Sequence, residues 1–274
     1  MGAYLVFFVN FHQDQTMMNV WQEKVTLRFG SVDRSDRLTL GAAFGFFQEA
    51  AISHAAVLGV GRDAMAGNGQ AWVLSRLSVF IEKRPRYGET IIVRSWPRGP
   101  EKLFCLRDYD ISDESGIVLA RGRSGWLVLD VEKRRPLRVQ GVLEKLPLNE
   151  GLDALPSGPQ SLDDRATLAS AGSRQAVYSD IDFYGHVNNV RYVQWVQDMT
   201  PPDLLDKANQ MRLDINYMSE TLPGETVELL SASIDNSPLS ADYPVSPLTA
   251  FAYEGRRQNP AGQTAFRAEL RLGL

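Results

Sequence analysis

From Val20 to Phe29 apolar and polar residues alternate, which predicts a first strand, and the polar run Val32 to Arg37 predicts a turn. Thr39 then stands at the N-cap of a long helix whose apolar stripe is Leu40, Phe44, Phe47, Ala51 and Leu58, with His54 off it. Gly41, Ala42, Ala43, Gly45, Ala50, Ala55 and Ala56 keep that helix slim enough to lie close against a sheet. Gly59 and Gly61 end it, and Ala66 to Gly69 reads as loop. Four strand-like runs follow: Ala71 to Lys83, Thr90 to Arg98, Leu103 to Ser112 and Ile117 to Val131, separated by turn residues. The pattern is α+β, one strand and one long helix followed by an antiparallel meander able to wrap it.

From Gly141 to Ser173 the periodicity dissolves into Leu, Pro, Gly, Ser and Asp, with Pro147, Pro156 and Pro159 blocking regular structure, so this stretch reads as a linker. The order then repeats. A strand leads into Tyr178, a turn follows, and a helix with apolar positions Tyr192, Trp195, Val196 and Met199 runs to Pro201-Pro202, which ends it. Strands are predicted at Met211 to Met218, Thr226 to Asp235, Leu248 to Glu254 and Gln263 to Leu272. In the last, Phe266, Ala268, Leu270 and Leu272 alternate with Arg267, Glu269 and Arg271. Gly88-Glu-Thr and Gly224-Glu-Thr open corresponding strands, and Asp33 and Asp182 precede corresponding helices. The expected division is an extension at 1–19, a first domain at 20–140, a linker at 141–173 and a second domain at 174–274, two like units packed as a dimer packs.

At 274 residues, with 44% apolar and 23% charged residues, the chain has the composition of an ordinary soluble globular protein. A net charge of −4 argues against nucleic acid as the main partner. The single cysteine, Cys105, lies mid-strand, can form no internal disulfide and has no paired metal ligands, which fits a reducing cytoplasm. Ala3 to Val9 is too short to span a bilayer and lacks the flanks of a signal peptide, so residues ahead of Met17 and Met18 read as an extension, with His12 in it. No other run approaches membrane length.

The chemistry concentrates in Ser179 to Asp198. Asp180, Asp182 and His186 fall in a turn containing Gly185, and Asn188 or Asn189 occupies the helix N-cap. Helix N-terminal amides and the helix dipole favour developing negative charge, and an imidazole there can donate to an oxyanion or move a proton near neutral pH. Spacing alone is equally compatible with an ordinary capping turn. No Gly-rich phosphate loop, paired-cysteine zinc pattern or Gly-x-Ser-x-Gly elbow is present.

Asp180-Ile-Asp-x-x-Gly-His-Val-Asn-Asn-x-x-Tyr-x-x-Trp195 resembles the signature of acyl-acyl carrier protein (acyl-ACP) thioesterases, whose plant and bacterial members carry Asp-x-Asn-x-His-Val-Asn-Asn. Trp72 to Leu77, Arg84 to Thr90, Trp96 to Gly99, Arg107-Asp108, Trp126 and Lys133 to Arg138 are also similar to that family. The resemblance implies a tandem, or double, hot-dog fold, each half an antiparallel sheet around a long helix, with the acyl pocket largely under the first helix. It implies hydrolysis of acyl-ACP to free fatty acid, with Asp182, His186 and Glu220 catalytic, the last in Asn216-Tyr-Met-Ser-Glu-Thr221 where relatives read Tyr-x-x-Glu and often cysteine. Tyr184, Asn188 and Asn189 would position substrate.

Thr221 in place of that cysteine, and Cys105 in the other half, argue against a cysteine nucleophile. Tyr184 replaces a family asparagine, whose carboxamide it cannot reproduce. The first turn carries Arg34, Ser35, Asp36 and Arg37 and no histidine, so one catalytic site is expected. No metal or diffusible cofactor is called for. The implied partner is an acidic acyl carrier protein with its phosphopantetheine arm. It would dock on clusters formed by Arg84, Arg86, Arg121, Arg123, Lys133, Arg134, Arg135, Arg256 and Arg257, which read equally as solvated turns and strand edges. A tandem pair already satisfies the usual hot-dog dimer interface, which leaves a homodimer of whole chains open. An acyl-CoA thioesterase and a catalytically lapsed acyl-carrier-binding protein are the rival readings.

Overall fold

The computed structural model describes residues 19–138, 140–165, 167–234, 248–259 and 262–274; the expected extension with His12, and the Asp235 end of one expected strand, lie outside them. Eleven strands form one antiparallel sheet. They are β1 (Trp21–Thr26), β2 (Gln70–Ile81), β3 (Thr90–Glu101), β4 (Phe104–Asp113), β5 (Val118–Asp130), β6 (Arg135–Leu137), β7 (Ala169–Gln175), β8 (Gln210–Tyr217), β9 (Thr226–Ile234), β10 (Leu248–Arg257) and β11 (Gln263–Gly273). Their order is β1-β3-β4-β5-β2-β8-β11-β10-β9-β7, with β6 paired to β5.

The second half of that order mirrors the first, strand for strand. The halves meet where β2 pairs β8, with Ser78 opposite Asp214 at the centre and their side chains 2.6 Å apart. A seam in which each half presents the same strand is isologous, the geometry of a two-fold dimer realised within one chain.

Two long helices lie against the concave face. α1 (Leu40–Val57) starts at Thr39, whose side chain accepts from the Ala42 N–H, as the sequence predicts. α4 (Asn189–Met199) starts at Asn188, which resolves the choice of cap between Asn188 and Asn189. The N-terminal end of α1 touches α4 near its C-terminal end, where the Gly41 N–H donates to Gln197 Oε1 at 2.6 Å. A Cβ on Gly41 would come within 2.9 Å of Gln194 Cγ, so the slimness read from the sequence serves helix–helix contact as well as helix–sheet contact. One apolar cluster runs through both halves, joining Phe44 and Phe47 of α1 to Val193 and Val196 of α4, Leu77 and Val79 of β2 and Leu213 and Ile215 of β8. The architecture is a double hot-dog.

Several short elements were not legible. Ala66, read as loop, is the last residue of a helix, α2 (Arg62–Ala66), and Pro201-Pro202 ends α4 but opens α5 (Pro202–Lys207), proline being suited to a first helical turn. The stretch read as linker contains the end of α3 (Gln140–Leu143) and the start of β7, and the first strand stops at Thr26, with Phe29 opening a 3-10 turn (Phe29–Ser31). His54 is also corrected: it is fully buried on the core face of α1, bonded to Arg107.

The remaining linker straps the opposite face of the sheet. That face carries Arg76, Ser78, Arg212, Asp214 and Asn216 at the seam; Ser78 and Arg212 bond Asp214, and the strap bonds Arg76 and Asn216. Ala154 N–H donates to Asp108 at 2.8 Å, Leu162 N–H to Asn216 Oδ1 at 2.8 Å, and Asn216 Nδ2 to the Gln160 carbonyl at 3.0 Å. Among the described residues no helix is long and apolar enough to cross a membrane.

Candidate active site

The motif turn is built by backbone bonds, with Val187 turned into the core and Phe183 and Tyr184 exposed. Asp182 N–H donates to the His186 carbonyl at 2.9 Å, Gly185 N–H to the Asp182 carbonyl at 3.0 Å, and Asn188 N–H to the Asp180 carbonyl at 2.8 Å. Gly185 has φ +88°, a conformation that only glycine adopts without strain. Val187, buried, ties the turn to the next segment by donating to the Thr221 carbonyl at 2.9 Å. That bond fixes Thr221, and hence Glu220 beside it, against the turn.

The consequence is a contact across 34 residues of chain: His186 Nε2 lies 3.2 Å from Glu220 Oε2, both half-exposed at the start of α4. The other oxygen, Oε1, accepts from Arg134 at 2.6 Å. Asp182 is not drawn into this contact; its Oδ1 accepts from the Tyr184 N–H at 2.9 Å. Asn188 spends its side-chain oxygen on the Val190 N–H at 2.9 Å, and the Asn189 carbonyl accepts from the Tyr217 hydroxyl at 3.2 Å, so both asparagines shape the helix terminus.

Tyr184 lies parallel to the His186 ring with centroids 6.4 Å apart, and burial raises its phenol above the ordinary value. Phe183, exposed, is covered on one side by the Arg62 guanidinium of α2 at 4.9 Å. Behind the turn the buried Tyr192 phenol is pushed up to about 12 by burial and remains protonated. Burial likewise pushes the Cys105 thiol up to about 12, so it offers no thiolate near neutral pH.

The first turn has the same backbone frame. Asp33 N–H donates to the Arg37 carbonyl at 2.9 Å, Leu38 N–H to Pro85 at 2.9 Å and Thr39 N–H to Ser31 at 3.1 Å. Superposing the two frames puts Arg37 where His186 stands and Arg84 where Glu220 stands. Arg84 is buried, paired with Asp33 and bonded to the Leu38 and Leu205 carbonyls at 2.8 and 2.9 Å. A cavity of about 160 Å³ adjoins this turn, but its charged groups Asp33, Arg34, Arg84 and Asp206 are already paired with one another.

The cations grouped as a docking surface prove mostly spent. Arg86 pairs with Asp36, Arg121 with Glu82, Arg123 with Asp108, Lys133 with Asp130, Arg256 with Glu254 and Arg257 with Glu225. Arg84, Arg123 and Arg257 are buried as well, so the sequence clusters are largely sheet-face and turn ion pairs. Arg134 and Arg62 were missed as site residues. Both reach the motif turn from the other half, over distances in sequence that no spacing rule links.

Fold and site together define a double hot-dog protein in which one turn holds an imidazole against a carboxylate and its twin is closed by an ion pair. Residues 18–145 match the Acyl-ACP thioesterase N-terminal domain and residues 169–259 the Acyl-ACP thioesterase C-terminal domain. The chain belongs to the acyl-ACP thioesterase family.

Among its relatives are the chloroplastic palmitoyl-acyl carrier protein thioesterases of Cuphea hookeriana, 25% identical over 78% of this chain and 54% of that protein, and of Gossypium hirsutum, 26% identical over 80% and 56%. The chain thus spans about half the length of the curated relatives it matches. In fold it resembles an acyl-ACP thioesterase from Bacteroides thetaiotaomicron VPI-5482, with a TM-score of 0.74 at 23% identity, covering 92% of this chain and 96% of that one. It also resembles the 12:0-ACP thioesterase from Umbellularia californica, with a TM-score of 0.70 at 20% identity over 92% and 93%.

Proposed function

We propose that the protein hydrolyses the thioester of a fatty acyl chain borne on acyl carrier protein, releasing free fatty acid during fatty acid biosynthesis. The observation that carries this reading is the His186–Glu220 contact at the N-terminus of α4; the neighbouring Ser219 spends its hydroxyl on the Thr264 carbonyl, and Cys105 is buried in the other half. Glu220 takes a proton from water, and the hydroxide adds to the acyl carbon. Charge that develops on the carbonyl oxygen is met by the helix terminus and by an N–H of His186. Collapse breaks the C–S bond, and the departing thiolate recovers the proton from Glu220, giving acid and thiol. Asp182 holds the turn in shape through the Tyr184 amide.

A second reading, a carrier-binding protein whose catalysis has lapsed, draws on Tyr184, whose ring stands beside His186 where the family has asparagine. Hydrolysis of acyl-ACPs of graded chain length by the wild type and by Asp182→Ala, Glu220→Ala and Tyr184→Asn separates the two. Turnover by the wild type that falls at least about a hundredfold in Glu220→Ala is the expected result. Tight binding with no turnover until Tyr184→Asn is introduced would establish the lapsed protein instead.

A further inference from the structure

Among the described residues Arg134 is the side chain of the first half bonded to Glu220, and it makes that bond from an unfavourable backbone. The hairpin between β5 and β6 is set by Asp130, which accepts from the Lys133 N–H at 2.9 Å, and by Val131 N–H, which donates to the Gly69 carbonyl at 3.0 Å. That turn leaves Arg134 at φ +51°, a left-handed conformation usually given to glycine or asparagine. Two other loop residues, Asp36 and Lys102, share this conformation, and what distinguishes Arg134 is the group its side chain meets.

The side chain donates to Glu220 Oε1 at 2.6 Å, while His186 stands 3.2 Å from Oε2. The backbone around Glu220 is already pinned, since Ser219 Oγ donates to the Thr264 carbonyl at 2.9 Å and Thr221 accepts from Val187. What remains free is the rotation of the carboxylate itself. Arg134 takes up one oxygen and so presents the other to His186.

We propose that Arg134 is a positioning residue for the catalytic carboxylate, so that the half whose own turn is closed by Arg84 and Asp33 completes the site of the other. The proposal rests on the thioesterase reading. At the first turn both partners of the arginine–carboxylate pair come from one half, with Arg84 buried and Asp33 partly so; at the second they come from opposite halves and are exposed. A cation held there also adds its field where the carbonyl oxygen gains charge, without touching the acyl chain.

The test compares kcat and KM of Arg134→Ala, Arg134→Gly and Arg134→Lys on acyl-ACP and on acyl-pantetheine, which carries the thioester without the carrier protein. Arg134→Gly relieves the left-handed strain, so its stability is preserved. Lys102→Ala removes another left-handed turn cation, at φ +56°, as a control. Expected is a fall in kcat of about tenfold for the Ala and Gly variants on both substrates, with KM changed less than about twofold, and substantial recovery with Lys. An unchanged kcat overturns the proposal, and a defect confined to KM for acyl-ACP makes Arg134 a carrier contact instead. An inert wild type would sink the hydrolase reading separately. In that case the ring-nitrogen shifts of His186 decide, since identical shifts in wild type and Arg134→Ala show that Arg134 positions nothing.

Discussion

Cys105, Tyr192 and Tyr253 keep their protons in the fold beyond the range where an unfolded chain would release them. Burial pushes the thiol from about 9, and the phenols from about 10, up to about 12. These acids are neutral when protonated, so a raised value means that the native state binds protons the unfolded chain gives up. Their stabilising contribution is complete below about pH 9 and is lost as pH rises toward 12. The denaturant midpoint is therefore expected to hold steady to about pH 9 and to fall above it, less steeply in Tyr253→Phe. A flat profile to about pH 11 would contradict the burial of these groups. Single residues also show where sequence reading stops. Cys105 could be placed in the core from its strand, whereas His54 could not be placed on the buried face of α1, because periodicity marks apolar positions and its partner Arg107 comes from β4, distant in sequence.

At the scale of elements, α1 and α4 begin with the same device, Thr39 Oγ1 on Ala42 N–H and Asn188 Oδ1 on Val190 N–H. Loss of an N-cap costs about 1 kcal/mol of stability. Thr39→Ala and Asn188→Ala should thus shift the denaturation midpoint by similar amounts, yet only Asn188→Ala should lower kcat, because only the second helix terminus faces the reacting groups. Equal effects on kcat would place catalysis elsewhere or in both halves. Caps, stripes and hairpin turns were readable since each is encoded within a few residues of itself. The short helices α2 and α5 were not, since pieces of five and six residues owe their stability to what they pack against.

For the whole molecule, the seam between β2 and β8, the core shared by α1 and α4 and the strap over the opposite face all join the halves. Neither half covers its own seam strand. Produced separately as residues 1–168 and 169–274, the halves are expected to aggregate alone, and when co-expressed to copurify and recover turnover through reassembly of the seam. A monomeric, cooperatively folding second half with full activity would show that the seam is dispensable and that Arg134 has no part in catalysis.

By itself the sequence determined the two-fold repetition, the two long helices and the long strands, and the turn that carries Asp182 and His186, because hydrophobic period, caps and glycine turns act locally on the chain. The place of Glu220 could be carried over from the family motif, but its contact with His186 needed the Val187–Thr221 backbone bond that draws β8 onto the turn. Only the tertiary structure decided that Arg84 and Arg134, equivalent as cations in the sequence, have opposite surroundings. One closes the first turn on Asp33, and the other reaches Glu220 beside His186. The physical reason is that ion pairs between distant segments are fixed by strand order and register, and those are set jointly by the whole sheet rather than by any stretch within it.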